Sequence, residues 1–240
     1  MSRSEPRLFC QPDDNAFAAG AEIALSAEQA HYLANVLRLS SGQGVRLFNG
    51  RDGEWQAVLT TLRKNRATAQ LQACARPQKE TEGPELLFAP LKRDATELMI
   101  RMGTEMGVSR FRPVITARTN THRLNLERLG LIACEAAEQC ERLDVPGVMP
   151  IEPLAAVLAR WPERRSLAVA LERHVHAPPL VEADALLIGP EGGFSPEEVA
   201  RLEKLASLRP LSLGPLVLRA DTAGCAALSR LNAAAALKGG

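Results

Sequence analysis

The stretch that decides the fold lies between residues 185 and 228 and reads ALLIGPEGGFSPEEVARLEKLASLRPLSLGPLVLRADTAGCAAL. It opens with Ala185–Ile188, a short apolar run bounded by turn residues, as in a buried parallel strand. The next residues include Gly189, Gly192 and Gly193, which let the backbone turn sharply and come close to a ligand. The order predicted for the whole stretch is strand, glycine loop, helix, strand, second loop and final helix.

The glycine loop suits a neutral or cationic ligand better than a phosphate. The helix after it is expected to begin at Ser195, with Pro196 at its first position and Glu198 completing a Ser-x-x-Glu capping box. Glu191 in the loop and Glu197 in the first helical turn would repel an anion. The loop also lacks the glycine motifs of triphosphate and dinucleotide sites. These features favour a ligand with a flat, adenine-like part, and a purely structural turn is the alternative.

Residues 1–76 read as a small β-rich domain, and tight turns between short strands predict a barrel. Turn dipeptides such as Asn49-Gly50 separate strands of alternating character. One helix is expected at Ala30–Leu39. Tyr32, Leu33, Val36 and Leu37 would lie on one face of it. Residues 77–85 are polar and rich in helix and strand breakers, so they are predicted to be a linker.

Residues 86–240 alternate between strand and helix patterns, which predicts an α/β domain whose parallel sheet carries helices on both faces. Ala95–Met106 reads as one of its helices and Leu126–Arg142 as a longer one. Ligands of such sheets bind at the carboxyl ends of the strands, where the glycine loop falls.

The composition is that of an ordinary soluble globular protein. Together with the cysteines it leads us to expect a cytoplasmic protein with neither a membrane span nor a metal site. The 240 residues carry a formal net charge of +1, and no apolar run reaches the ~18 residues of a membrane span. The N-terminus lacks the apolar core of a signal peptide. Five scattered cysteines form no Cys-x-x-Cys pair, which favours free thiols in a reducing compartment. His174 and His176 have no third ligand nearby in the sequence.

Positive charge is unevenly distributed along the chain. Residues 86–130 carry eight basic and four acidic side chains. Such a sector could steer a polyanion to one face of the protein, and an ordinary solvated surface is the alternative. Arg63, Lys64 and Arg66 fall at a predicted hairpin turn, where they are either turn charges or phosphate contacts.

Five stretches match the motifs of one protein family in the expected order. They are His31 with VLR at 36–38 and LFNG at 47–50, TEMGV at 104–108, EAAEQCER at 135–142, LIGPEGGFS at 187–195 and LGPLVLRADTA at 213–223. The chain thus resembles the RsmE family, bacterial enzymes of the SPOUT superfamily of knotted methyltransferases. Members of this family methylate N3 of a uridine in 16S ribosomal RNA.

The resemblance implies a SPOUT-type parallel sheet with a deep trefoil knot, and a PUA-like barrel that helps to hold the RNA. It further implies a homodimer, with 16S rRNA of the small ribosomal subunit as partner and S-adenosylmethionine as cofactor. The implied cofactor contacts are Leu171, Ile188, Gly189, Pro190, Glu191, Gly192, Gly193, Leu213, Gly214, Leu216, Leu218, Thr222 and Ala223.

Arg219 is our candidate for the group that stabilises charge on the reacting uridine, and an ordinary ion pair with Asp221 or Glu191 is the alternative. The candidate RNA contacts are Arg38, Arg63, Lys64, Arg66, Lys92, Arg93, Arg118 and Arg123.

Two departures from the family pattern affect these expectations. Leu216 stands where the family usually has arginine, and Ala117 where it has glutamate. A non-catalytic RNA-binding or ribosome-assembly protein is therefore an alternative function. A SPOUT methyltransferase with another base or a ribose as target is a further one. The intact glycine loop favours the methyltransferase, because a pure RNA binder has no use for it.

Overall fold

The structure is a computed structural model that describes residues 5–11, 16–171 and 177–238. Its residues divide into two compact units. The first comprises the described part of Met1–Thr81 together with Ala137–Val145, and the second comprises Glu82–Ala136 and the described part of Pro146–Gly240. The linker predicted at residues 77–85 stays a prediction.

The first unit is built on a five-stranded sheet. Its elements are β1 (Arg7–Phe9), β2 (Glu22–Leu25), α1 (Ala27–His31), a π-helical turn (Tyr32–Val36), β3 (Gly44–Phe48), β4 (Glu54–Arg63) and β5 (Arg66–Arg76). The strand order is β1-β3-β4-β5-β2, and every pair except the parallel β1 and β3 is antiparallel. Inward-facing residues such as Val45, Leu59 and Leu71 form its core. The β-rich domain predicted from the sequence is therefore present.

The helix predicted at Ala30–Leu39 is wrong in position, and the four residues expected on one face do not share one environment. The helix begins earlier, at Ala27, where Ser26 and Gln29 form a capping box. After His31 the chain widens into the π-helical turn. Leu33 is fully buried, whereas Tyr32 is 42% exposed and Val36 is 61% exposed. A π-helical turn holds more residues than an α-helical one, so the face expected from α-helical spacing does not form.

The second unit is a parallel α/β domain, as predicted. Its elements are β6 (Glu85–Phe88), α2 (Arg93–Glu105), β7 (Arg110–Ile115), α3 (Leu126–Gln139), β8 (Gly147–Val148), β9 (Glu152–Pro153), α4 (Leu154–Ala159), β10 (Leu167–Val169), β11 (Ala185–Ile188), α5 (Pro196–Glu203), β12 (Leu208–Pro210) and α6 (Ala220–Lys238). The strand order is β12-β10-β11-β6-β7-β8, and β9 pairs with β7 off this path.

The central strands of the parallel sheet are buried over their full length, as their apolar sequences require. β10 and β11 run side by side, with Val169 opposite Leu187. Their carboxyl ends therefore emerge next to each other, which is the position that ligand-binding loops occupy in sheets of this kind. The trefoil knot remains a prediction, because strand order alone does not test how the chain is threaded.

The helix predicted to run from Leu126 to Arg142 ends at Gln139. Its end is held by Arg7, whose guanidinium donates hydrogen bonds to the carbonyl oxygens of Ala137, Glu138 and Arg142 at 3.1, 2.7 and 2.7 Å. These carbonyls lie at the carboxyl end of a helix, where a cation is favoured.

Two further structural facts concern possible spans and metals. Within the described ranges, no helix combines the length and the apolar character that a membrane crossing requires. The same residues contain no group of three or more His, Cys, Asp or Glu side chains placed to hold a metal ion. His174 and His176 lie outside the described residues.

Candidate functional site

A cavity of about 590 Å³ opens at the carboxyl ends of β10 and β11. It is walled by the loop after β11, by the loop between β12 and α6, and by one side of α5. All the predicted cofactor contacts except Thr222 line this cavity. A volume between about 300 and 1,000 Å³ is typical of small-molecule sites.

The glycine loop after β11 keeps a tight conformation that side chains would disturb. The Gly193 N–H donates to the carbonyl of Pro190 at 2.8 Å, and Gly193 itself has a φ of 70°. A Cβ on Gly189 would lie 2.9 Å from the ring of Phe194, which packs beneath the loop. Ser195 then caps α5 as predicted, with its hydroxyl accepting from the Glu198 N–H at 3.2 Å. The loop is therefore fixed at both ends before any ligand binds.

The loop between β12 and α6 forms the facing wall. It is anchored at its start, because the Leu211 N–H donates to the Val169 carbonyl at 3.0 Å and Arg230 donates to the Ser212 carbonyl. Leu213, Leu216 and Leu218 follow, and within the described chain their backbone N–H groups donate to no protein acceptor. Free backbone groups beside apolar side chains can hydrogen-bond the edge of a heterocycle and leave its face in apolar contact.

The charges on the cavity wall disfavour an anion. The charged wall residues of the described chain are Arg118, Glu191 and Glu203. The Arg118 guanidinium already donates to the carbonyl of Gly192. Just outside the wall, the backbone N–H at the start of α5 and the Ser195 hydroxyl hold the pKa of Glu197 below its usual range. A ligand with an adenine-like part and a positive centre therefore fits this wall, as the sequence predicts.

Arg219 lies between Leu218 and Ala220, which both belong to the cavity wall. Its side chain is exposed, and it forms no ion pair with any residue of the described chain. The expected alternative of an ion pair with Asp221 or Glu191 is thus not seen among the described residues. Thr222 is exposed and lies outside the cavity wall.

The sequence matches two families of RNA methyltransferase domains. Residues 80–232 match the RNA methyltransferase domain, and residues 25–72 match the RNA methyltransferase PUA domain. A ribosomal RNA small subunit methyltransferase E of Rickettsia conorii is 31% identical over 224 residues, which are 89% of this chain and 91% of the relative. The chain belongs to the ribosomal RNA small subunit methyltransferase E family.

Two further members of the methyltransferase E family and one other methyltransferase resemble the chain in sequence or in structure. The Synechocystis member is 35% identical over 89% of this chain and 73% of its own length. The Neisseria gonorrhoeae member, whose crystal structure holds S-adenosyl methionine, superposes with a TM-score of 0.82 at 26% identity, covering 95% of this chain and 97% of its own. A methyltransferase from Legionella pneumophila, solved with the bound cofactor, gives a TM-score of 0.81 at 29% identity, with 96% and 98% covered.

The candidate RNA contacts of this methyltransferase E family member fall into two groups. Arg93 is engaged in an ion pair with Glu97 at 3.0 Å, and Arg118 belongs to the cavity wall. The others are exposed and form no ion pair or hydrogen bond through their side chains within the described chain. They are Arg38, Arg63, Lys64, Arg66, Lys92 and Arg123.

Sequence reasoning missed one wall of the methyltransferase E cavity. Val199, Ala200 and Glu203 of α5 line it, as does Phe194 just before the helix. These helix positions repeat at three- and four-residue steps from Pro196, so the spacing marks one face of the helix. That signal could have identified the face once the loop before it was assigned to a ligand.

We expect Gly214→Ala to weaken S-adenosylmethionine binding by about 5- to 100-fold, because the free loop would relax from a conformation strained by roughly 1–3 kcal/mol, and the cofactor would have to restore it. Gly214 has a φ of 101°, which side chains rarely tolerate, although no atom lies within 4 Å of the Cβ position. The effect would therefore come from the backbone alone. Gly147→Ala is the control, since that glycine also has free space but no positive φ. Equal calorimetric affinities for the two variants would contradict the prediction.

Proposed function

We propose that this protein transfers a methyl group from S-adenosylmethionine to N3 of a uridine in 16S rRNA of the small ribosomal subunit. The observation that carries the proposal is the cavity in which the two loops after β11 and β12 face each other. The proposed activity is supported by the names of the curated relatives and by the cofactor in the Neisseria gonorrhoeae and Legionella pneumophila structures. N3 of uridine is the target that the RsmE resemblance implies.

The two loops would hold the cofactor with little reorganisation. Backbone groups of the glycine loop and the N–H groups of Leu213, Leu216 and Leu218 would bind the adenine edge, and Ile188 and Leu171 would contact its face. S-adenosylmethionine supplies an electrophilic methyl group on a sulfonium, and the acidic side chains nearby tolerate that charge. Holding both reactants in line can supply about 7–11 kcal/mol of the barrier.

Arg219 is proposed to act on the nucleotide. N3 of uridine must lose a proton, and the negative charge then spreads onto the neighbouring carbonyl oxygens. An exposed guanidinium beside the cavity, free of ion pairs in the described chain, could stabilise that charge. The remaining exposed cations would bind phosphates of the RNA.

The proposal also includes the oligomeric state and the cellular compartment of the enzyme. Homodimerisation follows from the RsmE resemblance, and the cytoplasm is the compartment where a reduced protein with five cysteines would meet ribosomal RNA. No metal ion is required by the residues assigned above.

The test is mass spectrometry of nucleosides from small-subunit rRNA of a strain that lacks the gene. We expect one N3-methyluridine to disappear, and to return when the gene is restored on a plasmid. Isothermal titration of the purified protein with S-adenosylmethionine gives a second readout, which separates a methyltransferase from a non-catalytic RNA binder. An unchanged RNA would contradict the proposed target, and the absence of binding heat and of a thermal shift would contradict the proposed activity.

A further inference from the structure

In the first unit, three basic side chains without acidic partners in the described chain lie at one end of the sheet. Arg63, Lys64 and Arg66 flank the turn between β4 and β5, and none has an ion pair or side-chain hydrogen bond within the described chain. Other arginines of the unit are neutralised, such as Arg46, which bonds Glu5, and Arg76, which bonds Glu54. Stretches 29–48 and 55–75 contain no aspartate or glutamate at all. This end of the unit is therefore a positive surface.

The π-helical turn lies at the same end of the sheet. Leu62 of β4 pairs with Ala67 of β5, and Ala67 in turn pairs with Leu25, the last residue of β2. Leu33 and Leu37 of the helical segment pack into the same core cluster as Leu62. The helical segment and the hairpin turn therefore pack on one core cluster at this end of the sheet.

This helical segment has an unusual backbone and unusual exposure. The Leu37 N–H donates to the Tyr32 carbonyl at 3.0 Å, which widens the turn. Arg38 then has a φ of 57°. This left-handed conformation is energetically unfavourable for a residue with a side chain such as arginine. Tyr32 and Val36 point into solvent, 42% and 61% exposed. π-helical turns occur frequently at functional sites.

We propose that Tyr32, Val36 and Arg38, together with the hairpin cations, bind a single-stranded segment of the RNA substrate. Tyr32 stacks on an unpaired base with Val36 beside it, and Arg38 and the hairpin turn bind the flanking phosphates. We name these residues the stacking surface: Tyr32, Val36, Arg38, Arg63, Lys64 and Arg66. This inference rests on the proposed function, since that function makes RNA the substrate.

Single-stranded RNA fits the stacking surface better than a duplex does. An exposed aromatic ring can stack only on a base whose face is free, and unpaired bases in loops and bulges offer one. Duplex RNA presents mainly phosphates and sugars, which would use the cations but leave Tyr32 and Val36 without a partner. The left-handed backbone at Arg38 ends the helical segment and lets the Leu39 N–H donate to the Leu33 carbonyl at 2.9 Å. The Arg38 side chain bonds no protein group within the described chain, so its guanidinium is available to a phosphate.

The first experiment measures binding of a short mixed-sequence RNA and of its perfect duplex by fluorescence anisotropy. We expect the wild type to favour the single strand and Tyr32→Ala to weaken that binding by about 5- to 100-fold. Tyr32→Phe keeps the ring and should stay close to the wild type. Unchanged binding by Tyr32→Ala, or equal losses for the two variants, would overturn the proposal.

Arg38→Gly separates a binding role from a structural one. Glycine accepts the left-handed backbone, so we expect the Tm to rise by about 2–4 °C while RNA affinity falls. A residue that serves only the fold would lose stability and leave RNA affinity as it was. That result would show that Arg38 does not contribute to RNA binding by the stacking surface.

The hairpin cations are tested through the salt dependence of binding. Changing Arg63, Lys64 and Arg66 together to glutamine should reduce the slope of log affinity against log salt by about 2. Lys79→Gln is the matched control, because Lys79 is also exposed and lies beyond the opposite end of β5. Equal slopes for the triple variant and the control would contradict a phosphate role.

Methyl-transfer assays distinguish a failure of this inference from a failure of the proposed function. If the wild type transfers no methyl group to small subunits, the proposed function fails, and the oligonucleotide assays still decide whether this surface binds RNA. If the wild type is active and Tyr32→Ala has an unchanged KM for the subunit, the stacking surface is wrong. We expect a raised KM for the subunit with unchanged S-adenosylmethionine affinity.

Discussion

Arg219→Ala is expected to slow methyl transfer by about 100- to 1,000-fold while leaving S-adenosylmethionine binding unchanged. The proposed reaction moves negative charge onto the carbonyl oxygens of the uridine as its N3 proton leaves. A cation already in place stabilises that charge without reorganising the site, and removing one such group commonly costs about 2.7–4 kcal/mol. Arg219 is well placed for this role, because its neighbours Leu218 and Ala220 both line the cavity.

The surroundings of Arg219 favour an electrostatic role over a structural one. Its side chain is exposed and has no ion pair among the described residues. Asp221, one of the acids expected as a partner, accepts the N–H of Thr222 at 2.7 Å at the start of α6. Losing the Arg219 guanidinium should therefore leave the fold and the thermal stability as they are.

The measurement is a single-turnover rate with saturating cofactor and small subunits, paired with calorimetric cofactor binding. Arg219→Lys keeps the charge but not the planar fork of donors, so it should recover part of the rate. Arg209→Ala is the control, because Arg209 is also exposed and its guanidinium donates to the carbonyl of its neighbour Leu208. An unchanged rate for Arg219→Ala would show that Arg219 has no role in the reaction.

The sequence predicts the second unit well where the signals are local. The strand Ala185–Ile188 has the predicted bounds, and the capping box of Ser195 and Glu198 forms as expected. Both signals depend on residues within one turn or one strand of each other. The parallel order of the sheet follows from the alternation of strands and helices, since a crossover helix forces neighbouring strands to run the same way.

Elements whose stability comes from distant partners could not be predicted. β1 is three residues long and exists through its parallel pairing with β3. The π-helical turn likewise needs Leu33 to be buried in the sheet's core before Tyr32 and Val36 can turn outward. The local periodicity of the sequence predicts neither β1 nor the π-helical turn, because tertiary packing determines both.

The candidate site also combines features that local sequence predicts with contacts that only the fold creates. The two loops could be assigned from their glycines, but the role of Arg118 could not. It follows β7 as an apparently ordinary member of a basic sector, and only the fold brings it against Gly192. In the same way, Ala117 donates its N–H to Glu198 at 2.8 Å, a contact across 81 positions of sequence.

Glu54→Gln should cause the largest loss of stability, about 3–5 kcal/mol of the free energy of unfolding. Glu54 is buried, with a side chain only 2% exposed, and its two oxygens accept from the Nε atoms of Arg7 and Arg76, each at 2.6 Å. Arg7 also holds the end of α3, as described above. A neutral amide would leave the buried guanidinium of Arg7, and the partly exposed one of Arg76, without their counter-charge.

The control is Glu141→Gln, which makes the same chemical change on a partner of the same arginine. Glu141 is 71% exposed and lies 3.9 Å from Arg76, so its loss should cost less than about 1 kcal/mol. Urea unfolding followed by the fluorescence of Trp55, in a Trp161→Phe background, reports on this unit. Equal destabilisation by the two substitutions would show that burial of the ion pair is not what matters.

The pH dependence gives an independent check on Glu54. Burial raises its pKa, but the hydrogen bonds from Arg7 and Arg76 outweigh burial and hold the pKa below the ordinary value of 4.5. A carboxyl whose pKa is lower in the folded state stabilises the fold above the unfolded value, and this contribution is lost as the pH falls through the folded pKa. The stability gap between wild type and Glu54→Gln should therefore be full at pH 7 and narrow below pH 4.5. A gap that stays constant with pH would mean that the variant loses packing rather than charge, and the ionic account of this cluster would be wrong.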